Sequence, residues 1–371
     1  MPDRRVVLGL IVLAVVARAA AVLVLQSHTV PRSTYEHGEI AANLLAGRGF
    51  AVRFLGAEGP TSQQAPLYPV LVAAAYAVGG VGTPRALLIL ELGQAALGGA
   101  LVAAVLLLAR EVAPRRPRVG TLAGLIVAVH PTLVYAATHA QVALLAATLL
   151  TLTLGLAYRA GRTRGADAAL ATGGALAALA LTDPILALAA PGVAWAIVRR
   201  RGVRRAARPL ALVGLAAAVG VAPWMARNVA VHGEVVWIKS TFGYAFWQGN
   251  CAASRGTDKV VRASVERVLA AAGAGPKRLN DALWEARHEA GCIDDVALTP
   301  ADLRALAAVS EPERSRRLFR RALADLRAAP GRYWDLCRRR LAAFVLFDRT
   351  NPKARNPVYR AGHLGLTALA A

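Results

Sequence analysis

The chain reads as an all-α polytopic membrane protein: a bundle of about seven or eight transmembrane helices, with external juxtamembrane helices and an external helical segment. Three observations predict this. The 371 residues are 56% hydrophobic, with a mean hydropathy of +0.44. The apolar residues fall in repeated runs approaching the ~20 residues that cross a bilayer as a helix. Arginine clusters follow alternate runs, as the positive-inside rule requires of cytoplasmic loops. The formal charge of +22 invites a nucleic-acid reading, but most of it is explained by those flanking clusters. The densest run away from the spans, Arg314 to Arg321, has Phe319 as its one aromatic, short of the interleaving of a nucleic-acid groove, and reads as a solvated helix face or a dock for anionic headgroups. No Walker or Rossmann phosphate loop occurs, and Gly98-Gly99 sits inside a span, where small residues let helices approach closely.

Taken in order, Asp3-Arg4-Arg5 precedes the run Val6 to Leu25, which leaves the N-terminus cytoplasmic and sends the first helix outward. The basic start and apolar core resemble a signal peptide. The cleavage site is unconvincing, so a retained helix is expected. An external loop follows over 27–86. In it Ser33 opens an amphipathic helix with Ile40, Leu44 and Leu45 on one face and Glu36, Glu39 and Asn43 on another. Gly47 and Gly49 end it. Pro66 to Val78 is apolar but short, with no basic cluster after it, and is read as a helix at the outer interface. Leu87 to Ala109 then crosses inward to Arg110 and Ala-Pro-Arg-Arg-Pro-Arg. Val119 to Tyr135 returns outward, and Ala140 to Tyr158 comes back to Arg159, Arg162 and Arg164. Ala168 to Thr182 goes out and Pro184 to Val198 comes in to the cluster from Arg199 to Arg208. Leu210 to Ala222 ends outside. With seven crossings, every basic cluster lies on one side.

The composition divides the chain into a transmembrane module over 1–225, a charged helical segment over 226–338 placed outside, and a membrane-returning segment over 339–371. The last begins an apolar helix at His363 that the C-terminus cuts short. Ala301 to Leu326 reads as amphipathic helix closed by Ala329-Pro330-Gly331. Cys251, Cys292 and Cys337 show no metal-ligand spacing. The first two share the external segment, which leaves a disulfide between them open.

In such a chain the polar residues held at one membrane face are the candidates for chemistry. Glu36 and Glu39, three residues apart, are neighbours on one helix face and supply carboxylates for general-base work, or else favour the helix N-terminus electrostatically. His37 lies ~100° round the helix and need not share their site. Arg227 lies just past the last span beside Trp224. There it can fork onto a phosphate, or snorkel to headgroups. Lys239 is a second phosphate candidate. His139 and Gln141 form the next external turn, where they offer hydrogen bonds to a sugar or end a helix. Gln64 and Tyr68 line the first loop, Tyr68 also serving as an interfacial anchor. Asp183 before Pro184 marks either a site or a helix break. Glu91, inside a span, is a site hypothesis with Arg85 as its nearest cationic partner.

Three stretches carry a resemblance: Tyr-Glu-His-Gly-Glu-Ile-Ala-Ala-Asn-Leu-Leu-Ala-Gly-Arg-Gly-Phe over 35–50, Gly-Pro-Thr-Ser-Gln-Gln-Ala-Pro-Leu-Tyr-Pro over 59–69, and Pro-Trp-Met-Ala-Arg-Asn over 223–228 with Phe-Gly-Tyr-Ala-Phe-Trp-Gln-Gly-Asn over 242–250. With the order of spans, the chain resembles membrane glycosyltransferases of the GT-C fold, family 39, the protein mannosyltransferase and aminoarabinose transferase type. That resemblance implies an inverting transfer of a sugar from a polyprenyl-phosphate donor to a lipid, glycan or protein acceptor. It places the reaction on the external face of a bacterial inner membrane, with no nucleotide sugar and no nucleic acid. It implies no cofactor, and leaves a divalent metal open. The family's Asp-Glu pair would fall at Ser33-Thr34, its second-loop acid at His139-Ala140-Gln141-Val142, and a lysine facing the lipid phosphate near Gln64. On that comparison Glu36 and Glu39 take over as the acids. Two other classes stay in view: a transporter or flippase of lipid or small solute, and an inactive GT-C-like scaffold.

Overall fold

The computed structural model describes residues 3–31, 33–257, 268, 270–289, 291–347 and 357–370. It is helical apart from one small hairpin, and the chain divides into two compact units. The first comprises Met1–Phe50 and Gln64–Ile238, the second Ala51–Gln63 and Lys239–Ala371.

In the first unit α1 (Arg4–Leu25), α4 (Pro84–Val112), α7 (Ala143–Arg162) and α10 (Val203–His232) are each long and apolar enough to cross a membrane. They leave Leu8, Val12, Val16, Leu92, Leu215 and Val219 exposed. So much outward apolar surface fits a helical membrane protein and would be a liability in water. The other expected crossings are present as shorter elements: α5 (Pro117–Val129) with the short α6 (Pro131–Ala136), α8 (Asp167–Ala180), and a 3-10 turn over Pro184–Ala189 leading into α9 (Ala190–Arg201). At ~1.5 Å per residue, 12–14 residues rise only ~20 Å. Pro131 and Pro184 cause two of the breaks, since each lacks the N–H that would continue the helix. The juxtamembrane helices are α2 (Tyr35–Leu45) and α3 (Leu67–Gly79).

Packing runs α1 on α4, α4 on α5 and α7, α7 on α8 and α9, and α8 on α10, while α2 rests on α3 and α3 on α4. Glycines allow the close crossings. A Cβ on Gly99 would lie 2.8 Å from the Val15 side chain, and one on Gly173 2.4 Å from the Val213 carbonyl oxygen. Thus Gly98-Gly99 does serve the α1–α4 contact, and Gly98 has a second task. It makes room for Arg18, a buried arginine in the middle of α1. Arg18 donates to the carbonyls of Val127 and Ala128 at 2.9–3.0 Å. These are orphan acceptors at the C-terminus of α5, and Pro131 has no N–H to offer Val127. At the opposite end, buried Glu111 of α4 pairs with Arg162 at 2.9 Å, and Arg200 caps the Glu111 carbonyl. Part of the arginine run therefore fastens helix ends together.

In the second unit β1 (Ala51–Phe54) pairs antiparallel with β2 (Ala57–Pro60). Leu55 and Gly56 turn between them with φ of 49° and 82°, the signature of a type I′ hairpin. Residues 51–60 of the expected external loop are thus a pair of strands. Leu55 is an unfavourable residue at positive φ, and its side chain is buried. The helices are α11 (Phe242–Asn250), α12 (Pro276–Glu289), α13 (Ile293–Ala297), α14 (Pro300–Ala307), α15 (Glu311–Ala328), α16 (Pro330–Val345) and α17 (Pro357–Ala370). Helix α10 runs through Pro223 to His232, so the helix outlasts the shift in composition after Trp224. Cys251, Cys292 and Cys337 are free thiols, which closes the disulfide option.

Candidate functional site

A buried polar knot occupies the end of the first unit where α1 and α8 finish and α4 begins. Glu91 and Gln94 lie three residues apart on α4, hence on one face. Both are almost fully buried. Gln94 accepts from the Tyr68 hydroxyl at 3.0 Å and donates to the carbonyls of Ala137 and His139 at 3.0 and 2.8 Å. The backbone of Gln141 also hydrogen-bonds the Tyr68 hydroxyl. One amide therefore ties α3, α4 and the turn before α7, and brings together Tyr68, His139 and Gln141, three of the residues chosen from the sequence. Tyr68 is held at both its rim and its tip, since His37 of α2 meets its ring edge-to-face at 4.9 Å between centroids. His37, not either glutamate, is thus the α2 side chain that turns toward Tyr68.

The partner of Glu91 is His28, whose Nδ1 lies 3.3 Å from the carboxylate. Arg85, the partner suggested by sequence proximity, is on the exposed first turn of α4. His28 comes from the 3-10 turn Ser27–Thr29 that follows α1, and is mostly buried. A carboxylate at this depth is costly unless paired or hydrated, and the histidine supplies the pairing. Thr34 shares a hydrogen bond at 3.1 Å with Tyr76 of α3 and is buried.

Glu36 lies half-buried in the first turn of α2, and Glu39 is exposed. Asn43 does not share a polar outer face with them. It is buried, accepts from Arg48 at 2.8 Å and so shapes the turn after α2, while Leu45 is left exposed. The histidine at 139 directs its ring inward, with Nδ1 3.1 Å from the Thr138 hydroxyl and 3.3 Å from the Tyr135 carbonyl. Its ring meets that of Tyr135 at a tilt of 59°, with 4.4 Å between centroids. It closes the turn with its ring and joins Gln94 through its carbonyl. Asp183 accepts from the Ile185 N–H, as a residue before a helical turn does.

Arg227 reaches the Phe50 carbonyl at 2.9 Å and Asn228 Oδ1 at 3.1 Å, with its guanidinium over the rings of Trp224 and Phe50 at 4.9 and 5.5 Å. Buried Asn228 donates to the carbonyls of Val236 and Ile238, and Trp224 Nε1 donates to Ile238. The Pro-Trp-Met-Ala-Arg-Asn stretch is therefore a clasp on the chain that leaves α2 and on residues 236–238. Phe50 follows the C-terminal end of α2, whereas Glu36 is at its start. At ~1.5 Å per residue, ~14 Å of helix separates Glu36 from Leu45. Gln64 is half-buried where the chain re-enters the first unit, next to Ala65, which packs on Ala180 and Ile238.

Lys239, also half-buried, begins the return of the chain to the second unit. In that unit Glu311 is a buried carboxylate and Asp294 a half-buried one. Glu311 accepts from the Thr61 hydroxyl at 2.6 Å, the Ser62 N–H at 2.8 Å and the Ser240 hydroxyl at 2.5 Å. Asp294 accepts from the Tyr244 hydroxyl at 2.5 Å and from Gln248 at 3.1 Å. Burial pushes the Asp294 carboxyl above its usual range, against the opposing pull of those two hydrogen bonds. Burial likewise raises the Cys251 thiol, so it is not an activated nucleophile. Among the described residues no three His, Cys, Asp or Glu side chains gather as a metal would need.

His28, Gln94 and Arg18 were not singled out by sequence reasoning. Arg18 had a legible signal, a lone charge inside an apolar run. Gln94 and His28 had none, because their importance comes from partners 26 to 63 residues away. No model of a known protein family matches the chain, and no curated protein or solved structure matches it either.

Proposed function

We propose that the protein is an integral membrane glycosyltransferase. It moves a sugar from a polyprenyl-phosphate donor to a lipid, glycan or protein acceptor on the non-cytoplasmic face of a bacterial inner membrane. The observation that carries this reading is the polar knot itself. Tyr68, Gln94, the 137–141 turn and the His28–Glu91 pair converge at one end of the first unit, beside the helix that bears Glu36. The opposite end carries the arginine clusters. The three sequence stretches over 35–50, 59–69 and 223–250 add the glycosyltransferase class.

In the reaction the acceptor hydroxyl attacks the anomeric carbon from the face opposite the phosphate. A carboxylate takes the hydroxyl proton, the anomeric C–O bond breaks, and the polyprenyl phosphate leaves with the bonding electron pair. Inversion needs one base. Glu36, half-buried, is the first candidate, and exposed Glu39 the second. Arg227 is the cation for the departing phosphate. Arg227 also donates to Phe50 and Asn228, so a contact with phosphate would share a guanidinium that holds the fold.

A second reading is favoured by one observation. An ionisable pair buried at the end of a membrane helix, as His28 and Glu91 are, also suits a proton-coupled transporter. The test uses the purified chain in vesicles, offered radiolabelled polyprenyl-phosphate sugars, with Glu36→Gln, Glu39→Gln and Arg227→Ala beside wild type. Loss of a general base lowers transfer by about 10²–10⁴-fold. That loss is expected in Glu36→Gln, with Glu39→Gln near wild type. Equal activity in all variants would overturn the site. No transfer from any donor, with pH-gradient-driven solute uptake abolished by Glu91→Gln, would establish the transporter instead.

A further inference from the structure

Helix α16 is apolar on the wrong side for a helix that merely belongs to a soluble fold. Its inner face holds Leu336, which is buried, flanked by Arg332 and Arg340. Arg332 donates to the carbonyls of Asn250, Ala252 and Ser254 at 3.3, 3.0 and 2.6 Å. Arg340 reaches the carbonyls of Gly249 and Gly256 and the side chain of Asn250. These bonds fix the rotation of α16 about its axis within the second unit. The face turned away carries Trp334, Leu341 and Phe344, which are 73%, 64% and 81% exposed, with Val345 and Leu346 at its end. Spacings of seven and three residues keep the first three on one stripe. Anchored by its arginines, the helix cannot turn that stripe inward.

The stripe needs an occupant, and its chemistry selects one. Four arginines stand against one aspartate along α16. Arg338, four residues on from Trp334, stands exposed beside the stripe, whereas Arg339, seven on from Arg332, lies toward the other side of the helix; among the described residues both pair with Asp335, at 2.9 and 2.7 Å. Exposed pairs of this kind contribute little and exchange readily for other anions. Tryptophan with phenylalanine and leucine beside an exposed arginine is the composition of helices that lie in a bilayer interface. The size argues the same way. The three large side chains expose a few hundred Å² at most, whereas a stable dimer covers about 800 Å² per partner. A bilayer is also already present, because the first unit is built of membrane-length helices in the same chain.

We propose that α16 lies along the membrane surface on anionic phospholipid, with Trp334, Leu341 and Phe344 in the headgroup–acyl boundary and Arg338 at the lipid phosphates. This does not depend on the transferase reading.

The test places a nitroxide at Leu341→Cys or at Arg339→Cys, in a full-length chain whose native cysteines are replaced by alanine. The chain is reconstituted into phosphatidylglycerol–phosphatidylcholine vesicles. At position 341 the label should be several-fold more accessible to oxygen than to aqueous nickel chelate, and the order should reverse at 339. In vesicles of phosphatidylcholine alone the contrast at 341 should weaken. Because Cys251 is buried and its replacement can disturb folding, a second measurement keeps the cysteines. Brominated lipids should quench wild-type fluorescence more than that of Trp334→Phe. Nickel access at both positions would overturn the proposal by showing a water-exposed helix. Exclusion of both reagents at 341 would show a protein cover, and dipolar broadening would identify a second copy of the chain; either overturns it. An unchanged contrast in neutral vesicles would overturn the anionic assignment.

Discussion

Arg18 shows how much one buried side chain can organise. Its guanidinium supplies hydrogen-bond donors to two α5 carbonyls that Pro131 and the helix end leave unserved. Removing it strands both acceptors at roughly 1–3 kcal/mol each, so Arg18→Leu should markedly lower the melting temperature in detergent. Gly98→Ala should do similar damage by another route, because the added Cβ would lie 2.2 Å from Arg18 Cδ. Scanning fluorimetry of both variants and their double mutant checks this, and the double mutant should cost less than the sum. In the second unit Glu311 is the counterpart. Its replacement by alanine leaves the Thr61 and Ser240 hydroxyls and the Ser62 N–H without their acceptor. Faster amide exchange over 61–63 and 240–243 is the expected readout, again at about 1–3 kcal/mol for each group left buried and unpaired. Asp294 adds a pH dependence with a defined sign. Its folded-state pKa is raised by burial, so folding binds a proton there. The contribution is full below the unfolded value of about 3.9 and is lost as pH rises through the raised folded value. Protection of α11 should therefore increase on mild acidification, and Asp294→Asn should flatten that trend in hydrogen exchange.

At the scale of elements, the juxtamembrane helices are placed by a few polar and aromatic contacts. Tyr68→Phe removes the hydroxyl that joins Gln94 but keeps the ring that meets His37. It should loosen the 137–141 turn at a cost of about 1–2 kcal/mol, seen as faster exchange of its amides, while α3 stays packed. The clasp at the end of α10 should be stricter about geometry. Arg227→Lys keeps the charge and loses both the planar stacking on Trp224 and Phe50 and the forked donation. If Arg227 acts chiefly as a clasp, lysine should fail nearly as badly as alanine in stability. If phosphate binding dominates, lysine should restore transfer while stability stays low. The positions of α1, α4, α7 and α10 were legible as apolar runs. The short α5, α8 and α9 were legible too, though read as full crossings, because hydropathy reports what a segment is made of and not where a proline stops it. The hairpin over 51–60 was not legible, since Leu55-Gly56 is a poor hairpin signal on its own and acquires positive φ only with its side chain buried.

For the molecule as a whole, membrane character follows from the sequence with little help. Apolar burial is a sum over a segment's own residues, and a run such as Arg4–Leu25 carries that sum wherever it is placed. The candidate site was legible only by region. The sequence pointed to the loop bearing Tyr68 and to the turn of His139 and Gln141, and Gln94 joins Tyr68 to that turn. It named Arg85 as an alternative partner for Glu91, where the structure pairs His28, and it weighed Arg227 between phosphate and headgroups without its bonds to Phe50 and Asn228. Those roles belong to tertiary structure, because a polar side chain in low dielectric is defined by its partner. Here the partners lie 63 residues away for Glu91, 177 for Arg227 and 109–110 for Arg18. What the sequence by itself determined is a helical chain built for a bilayer, with its polar groups sorted to the two ends. Which of those groups hold the fold together, and which are left to meet a substrate, was decided only when distant helix ends came within hydrogen-bonding distance.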